Sequence, residues 1–168
     1  MPLLLAVCSV AAQATTKPPA GYAFPPLTGR VVDAADILAA ADEKILVAQS
    51  ERLERSTGHQ FVVVTIPSLG GHRIEDYGLR LGNYWGIGRK HINDGVLLIV
   101  APNDRKLRIE VGKGLETVLT NAEAKRIIDI DILPAIRAGR LPEGIRKGAT
   151  GIVRELSPAL KPVLKKAA

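Results

Sequence analysis

The sequence has few of the residues from which common catalytic, redox and metal sites are built. Its 168 residues include one cysteine, Cys8, so no disulfide can form within the chain. A zinc site made of several thiolates is excluded for the same reason. The three histidines, His59, His72 and His91, fall in separate predicted loops or element ends. No P-loop, H-E-x-x-H motif or G-x-S-x-G nucleophile elbow is present, so we assign no catalytic residue.

Aromatic residues are also scarce, with one Trp, three Tyr and two Phe. This number is too small for an evident base-stacking platform. The net charge of +6 comes from basic residues that are spread along the chain, with part of the excess at the C-terminus in Lys161, Lys165 and Lys166. We therefore expect no nucleic-acid partner, although a basic protein meets anionic surfaces more often.

The one long apolar run lies at the N-terminus, over residues 3–12, and is too short to span a bilayer. It ends in Ala-Gln-Ala at 12–14, a small-x-small cleavage pattern, and predicts a signal peptide over 1–14. No Lys or Arg precedes the run, and a truncated start would explain this missing element. Two alternatives to the signal peptide are a lipid attachment at Cys8 and a buried N-terminal strand or helix. We expect a periplasmic or secreted protein without a stable membrane span after signal cleavage.

Beyond this segment, apolar residues follow strand and helix periods in alternation. Strands are predicted at 31–32, 61–66, 95–101 and 107–111, and helices at 40–56 and 74–85, the second of which should bury Trp85. A third helix should open at the Thr120-x-x-Glu123 capping box, kink at Pro134 and end at Gly139. A fourth should begin with Pro142 in its first position.

This order predicts a single α/β domain with a mixed sheet of about four strands flanked by helices. The strands at 61–66 and 95–101 should be parallel neighbours joined by a right-handed crossover. The domain is expected over 27–156, between a linker at 15–26 and a basic tail at 157–168.

Six short blocks of the sequence resemble, in the same order, the blocks of the TPM domain family; they are Leu27–Asp33, Thr57–Val64, Ile74–Tyr77, Trp85–Gly88, Asn93–Leu98 and Arg105–Glu116. The resemblance covers about 27–156 and implies a mixed sheet flanked by helices. It also implies a setting, because members of the family occur in bacterial envelopes, in the thylakoid lumen and in a receptor-associated membrane protein of nematodes.

The chloroplast relatives are associated with photosystem repair, and acid-phosphatase activity and calcium binding are attributed to them. Many bacterial relatives carry a membrane helix and a glycine-rich tail at the C-terminus. This sequence departs from that pattern, because it ends at Ala168 with neither, and we therefore expect a soluble periplasmic protein.

Carboxylates are the only candidates for chemistry, because calcium and similar divalent cations need oxygen ligands. Asp33 and Asp36 precede the first predicted helix, where capping is the alternative role, and Asp94 precedes a central strand, where a turn role competes. We predict these three as metal ligands. Parallel strands would place Asp94 at the sheet edge opposite Asp33, so one site cannot easily use all three. The Gly112-x-Gly114 pair is expected to form a tight turn.

The expected function is an envelope interaction module that supports membrane-protein assembly or quality control, with an envelope or membrane protein as its partner. The alternative is a weak acid phosphatase assisted by calcium or another divalent cation. A third reading is a scaffold stabilised by a bound metal.

Overall fold

Four strands form one sheet in the computed structural model, which describes residues 17–157. They are β1 (Val31–Asp33), β2 (Gln60–Thr65), β3 (Gly95–Ala101) and β4 (Lys106–Val111), and they lie in chain order across the sheet. The first three are parallel and β4 is antiparallel to β3. The predicted mixed sheet is confirmed. The predicted signal peptide at 1–14, with Cys8, and the predicted tail beyond Ser157 lie outside the described residues.

The helices follow the predicted order; they are α1 (Ala40–Thr57), α2 (Ile74–Trp85), α3 (Asn121–Arg126), α4 (Leu133–Arg137) and α5 (Leu141–Leu156). Gly58 ends α1 with a φ of 80° and donates its N–H to the Glu54 carbonyl, as the Thr-Gly pair predicts. The capping box of α3 is present. Across residues 17–157, no helix combines the length and apolar character that bilayer crossing requires.

The region around Pro134 differs from the single kinked helix that the sequence predicts. A π-helical stretch, Ile127–Ile132, joins α3 to α4. Proline lacks a donor N–H and its ring clashes with the carbonyl four residues earlier, so a widened turn before Pro134 relieves that conflict. Pro142 occupies the second position of α5 and not the first, so that prediction is wrong by one residue.

Helices cover both faces of the sheet, giving three layers. Successive residues of a strand point to opposite faces, and both faces of β2 and β3 are buried, as predicted for central strands. One core lies against α1 and α5 and contains Phe61, Val63, Val96 and Leu98. The other lies against α2 and contains Val62, Val64, Leu97 and Ile99.

The two parallel crossovers have opposite hands. The connections β1–α1–β2 and β2–α2–β3 both advance in the same direction across the sheet, yet α1 packs on one face and α2 on the other. When two crossovers advance in the same direction across a sheet but place their helices on opposite faces, one crossover is right-handed and the other is left-handed. One of the two crossovers therefore departs from the right-handed rule on which the sequence prediction rested.

The segment before β1 packs along α2. Tyr22, Phe24 and Leu27 contact the α2 core, the Tyr77 hydroxyl donates to the Ala23 carbonyl (3.0 Å), and Trp85 Nε1 donates to the Pro25 carbonyl (3.1 Å). Burial raises the pKa of Tyr77 to about 12, and Trp85 is fully buried, as expected. The predicted linker at 15–26 therefore lies, in its described part, against the domain.

The turn after β4 passes close to the end of the loop that precedes β3. A short 3-10 helix, Lys113–Leu115, follows β4; Gly112 precedes it and Gly114 is its second residue. A Cβ atom at Gly114 would overlap the carbonyl oxygen of Ile92. The two glycines therefore allow two backbone segments to touch, which explains the expected tight turn.

We predict that Gly114→Ala lowers the free energy of unfolding by about 1–3 kcal/mol, because the new methyl group must displace backbone. Urea denaturation followed by circular dichroism measures the change. Gly29→Ala is the matched control, since nothing lies within 4 Å of a Cβ built there, and it should change stability by less than about 0.5 kcal/mol. Equal stability of the two variants would contradict the prediction.

Candidate functional site

The loop at 86–94, which joins α2 to β3, has an unusual backbone. Gly86, Gly88, His91 and Asn93 have φ values of 64°, 103°, 69° and 55°. Non-glycine residues adopt this left-handed region infrequently, and such conformations persist where the surrounding structure enforces them, often at functional sites. The Gly88 N–H donates to the side-chain oxygen of Gln60 at 2.7 Å, which ties the loop to the start of β2.

Asp94 holds this loop in place from within. Its side chain is only 1% exposed. Oδ1 accepts the backbone N–H of Arg89 at 2.8 Å, and Oδ2 accepts the Arg89 Nε–H at 2.7 Å. The Nδ1 atom of His59, just before β2, lies 3.2 Å from the same Oδ2. One buried carboxylate thus joins two points of the loop to the neighbouring strand.

The electrostatics favour the charged form of Asp94. Burial alone raises the pKa of a carboxyl group, but hydrogen bonds from the Arg89 side chain, the Arg89 backbone and His59 outweigh it and hold the pKa of Asp94 below its ordinary value. The hydrogen bond to Asp94 in turn raises the pKa of Arg89. At neutral pH the two side chains form an ion pair in which the carboxylate is buried and the Arg89 side chain is 46% exposed.

Asp33 lies at the other end of the parallel strands and has different partners. Its carboxylate accepts the N–H groups of Ile37 (2.9 Å) and Leu38 (2.8 Å) and the hydroxyl of Thr65. It orders the loop that leads to α1 and does not cap that helix, because the N-cap residue is Ala39 and no side chain caps it. Asp33 therefore does not have the capping role that was considered for it; it stabilises the loop before the helix instead.

The strand register separates Asp33 from Asp94. Asp33 is level with Thr65, which is level with Val100, whereas Asp94 comes just before Gly95 at the other end of β3. Six residues of strand correspond to about 20 Å. One cation cannot contact both carboxylates, as the parallel-strand argument predicts.

Asp36 is exposed and has a φ of 53°. Within residues 17–157, no group of three or more His, Cys, Asp or Glu side chains is arranged to hold a metal ion. The oxygens of Asp33 and Asp94 are engaged by the donors described above, and the assignment of Asp33, Asp36 and Asp94 as ligands stays a prediction.

Beside the loop, a groove of about 450 Å³ opens between α2 and the end of the sheet where β3 begins and β4 ends. The α2 wall and the loop supply Leu79, Asn83, Ile87 and Asn93, the floor is formed by Gly95 and Leu97, and the β4 side supplies Glu110, Val111, Gly112, Lys113 and Glu116. The volume is in the range of sites that bind small molecules or side chains.

The groove combines an apolar wall with a charged rim. Leu79 is 55% exposed on α2, and Glu110 is paired with Arg108 at 2.5 Å. The described residues that line the groove include no serine, cysteine or histidine. This lining is suited to binding, and it includes none of the hydroxyl, thiol or imidazole groups that commonly act as nucleophiles.

Arg89 and His59 were not predicted from the sequence as partners of Asp94. A five-residue separation within an irregular loop has no periodic signal that would link Arg89 to Asp94. The parallel register does contain a signal for His59, because Gln60 is level with Gly95, which places the preceding residues side by side. Pairing the two predicted strands residue by residue would have found this contact.

Comparisons with known proteins agree with this fold. A family model for the TPM domain matches residues 31–155. The chain is similar to the N-terminal domain of a protein from P. gingivalis, solved by solution NMR, with 34% identity and a TM-score of 0.72 over 77% of this chain and 83% of that one. No curated protein matches the chain.

Two further solution structures are similar at lower identity and support the fold alone. The N-terminal domain of cg2496 from Corynebacterium glutamicum has 18% identity and a TM-score of 0.62, covering 80% of this chain and 86% of that one. BA42 from the psychrophilic bacterium Bizionia argentinensis has 20% identity and a TM-score of 0.62, covering 72% and 82%.

We predict that Asp94→Asn lowers the free energy of unfolding at neutral pH by about 1–3 kcal/mol, because the ionised Arg89 loses its buried negative charge and one of the two acceptor oxygens becomes an N–H donor. Urea denaturation measures the loss. Asp129→Asn is the control, since Asp129 is 45% exposed and pairs with Lys125 on the surface, and it should cost less than about 1 kcal/mol.

The pH dependence follows from the lowered pKa of Asp94. The stabilisation is fully present above the unfolded-state pKa, whose ordinary value is 3.8, and is lost as pH falls through the lower folded-state pKa. The stability difference between wild type and Asp94→Asn should therefore be constant above about pH 5 and shrink below about pH 4. A difference that is absent at neutral pH, or that grows in acid, would contradict this account.

Proposed function

Because this chain belongs to the TPM domain family, we propose that it is an exported interaction module that supports the assembly or quality control of membrane proteins in the cell envelope. The observation that carries the proposal is the groove between α2 and the end of the sheet, beside the loop at 86–94, whose lining combines an exposed apolar wall with charged groups. The periplasmic or secreted location is part of the proposal.

The groove is preorganised for binding. The buried Asp94 carboxylate holds Arg89, Gln60 holds Gly88, and Gly114 donates its N–H to the Asn93 carbonyl at 3.1 Å. A wall that is already ordered loses little conformational entropy when a partner binds.

The composition of the groove suggests what part of a partner it would take. Leu79 offers exposed apolar area, and Ile87 and Leu97 continue that surface inward. Lys113 and Glu116 stand at the rim with opposite charges. A segment of an envelope or membrane protein with an apolar side chain flanked by polar groups fits this arrangement.

The second candidate is an acid phosphatase assisted by calcium or another divalent cation. Its support is the exposed carboxylate of Asp36, which a cation could reach without displacing a buried partner. A cation at Asp33 or Asp94 would instead have to displace the donors that these side chains hold. The geometry therefore favours the interaction module.

We predict that Leu79→Asp reduces the capture of envelope partners by about tenfold, because a charge replaces the apolar wall of the groove. The measurement is affinity capture from the solubilised envelope fraction with quantitative mass spectrometry. Ile130→Asp is the matched control, since Ile130 is 61% exposed and does not line the groove. The groove assignment would be contradicted if Leu79→Asp and Ile130→Asp captured the same partners in equal amounts. It would also be contradicted if the wild-type protein enriched no envelope partner.

The phosphatase candidate makes a separate prediction. If it is correct, purified protein hydrolyses a phosphomonoester at acidic pH, calcium or magnesium increases turnover, and a chelator removes it. Asp36→Asn should then lose activity that Asp129→Asn keeps. A native-state cation site would also raise the melting temperature with added calcium. Turnover that is independent of cation and of Asp36 would remove this candidate.

A further inference from the structure

One long edge of the sheet has no neighbouring strand. β4 is the last strand in the order β1-β2-β3-β4. The Gly112 N–H donates to the Gly95 carbonyl at 2.8 Å, and hydrogen-bonded pairs alternate along an antiparallel ladder. The backbone groups of residues 108 and 110 therefore point toward β3, and those of Leu107, Ile109 and Val111 point away from it. No other strand within residues 17–157 pairs with this edge.

An unpaired edge is a template for another strand, and charged side chains commonly prevent such pairing. β4 carries charges of both signs on one face. Arg108 and Glu110 are two residues apart and paired with each other, with side chains 34% and 17% exposed. Leu107 and Val111 are half-buried on the other face and Ile109 is buried. The edge therefore alternates between charged and apolar positions.

We propose that β4 pairs with β4 of a second copy of this chain, in antiparallel orientation, with Ile109 opposite Ile109. The hydrogen-bonding pattern requires outward-pointing residues to face outward-pointing residues. This register meets the requirement and places Leu107 opposite Val111 of the second copy. It also places Arg108 opposite Glu110 of the second copy, twice, because the pair is symmetric.

Charge selects this register over its neighbours. Sliding one strand by two residues in one direction places Glu110 opposite Glu110 and Arg108 opposite the uncharged Gly112. Sliding it in the other direction places Arg108 opposite Arg108, with Lys106 opposite Glu110 on both sides. Like charges directly opposite each other destabilise a strand pair, and opposite charges stabilise it. The proposed register is therefore the one of the three in which opposite charges pair and no like charges face each other.

The resulting dimer would have a continuous eight-stranded sheet, since each copy contributes four strands. An interface made mainly of one six-residue strand is smaller than the roughly 800 Å² per partner of a standard interface, so the dimer is expected to be weak. The inference stands on the β4 edge and not on the proposed function. A partner could still bind the groove of a monomer.

The test is sedimentation equilibrium of the full chain from about 10 µM to about 1 mM, a range that covers weak assembly. Wild type should change from monomer to dimer with increasing concentration. Arg108→Glu alone and Glu110→Arg alone should each weaken dimerisation at least about tenfold, because each places like charges opposite each other. Circular dichroism checks that both variants fold.

Mixing the two variants in equal amounts provides the decisive comparison. Every cross-strand charge pair in the mixed dimer is then opposite in sign, so the mixture should dimerise although neither variant does so alone. An effect confined to one chain cannot produce this rescue. The control variants are Arg140→Glu alone and Glu143→Arg alone, which change one charge of an exposed ion pair on another element. Each should dimerise like wild type.

A wild-type chain that stays monomeric at all concentrations would overturn the proposal, including the case in which the edge instead takes a peptide of another protein. Single variants that dimerise like wild type, or a mixture that stays monomeric, would overturn it equally.

Discussion

The ion pair between the buried carboxylate of Asp94 and the guanidinium of Arg89 is the interaction on which the site depends. The loop at 86–94 adopts left-handed backbone conformations at four residues. At the two that are not glycine, His91 and Asn93, these conformations are unfavourable on their own. The carboxylate offsets this cost with hydrogen bonds to the backbone and side chain of Arg89 and a contact with His59. The loop then forms one wall of the groove and a contact surface for the turn after β4.

Two of the three carboxylates that were predicted as metal ligands stabilise loops in this structure. Asp33 orders the loop before α1, and Asp94 orders the loop before β3, at opposite ends of the parallel strands. At the Asp94 end, the groove between α2 and the sheet has apolar and charged walls. The same end of the sheet therefore has the character of a binding surface, and the outer side of β4 offers a second surface of a different kind.

Much of the fold was predictable because its strongest determinants are local. The bounds of α2 and β3 match their predicted ranges, since apolar periodicity and flanking glycines mark both elements. The π-helical stretch was not predictable from Pro134 alone. It also depends on α5, where a Cβ at Gly148 would overlap Ile132 and one at Gly151 would approach Ile127, so its geometry requires a close helix contact that appears only in three dimensions. The groove and the Arg89 partner likewise depend on the path of an irregular loop.

NMR titration of the side-chain carboxyl carbon tests whether Asp94 is an ionised and tightly bonded carboxylate that holds the loop. We expect a pKa for Asp94 below the ordinary value of 3.8, and an upward shift of that pKa in Arg89→Ala, because the main hydrogen-bond donor is removed. A pKa at or above the ordinary value in wild type, or no change in Arg89→Ala, would contradict the account.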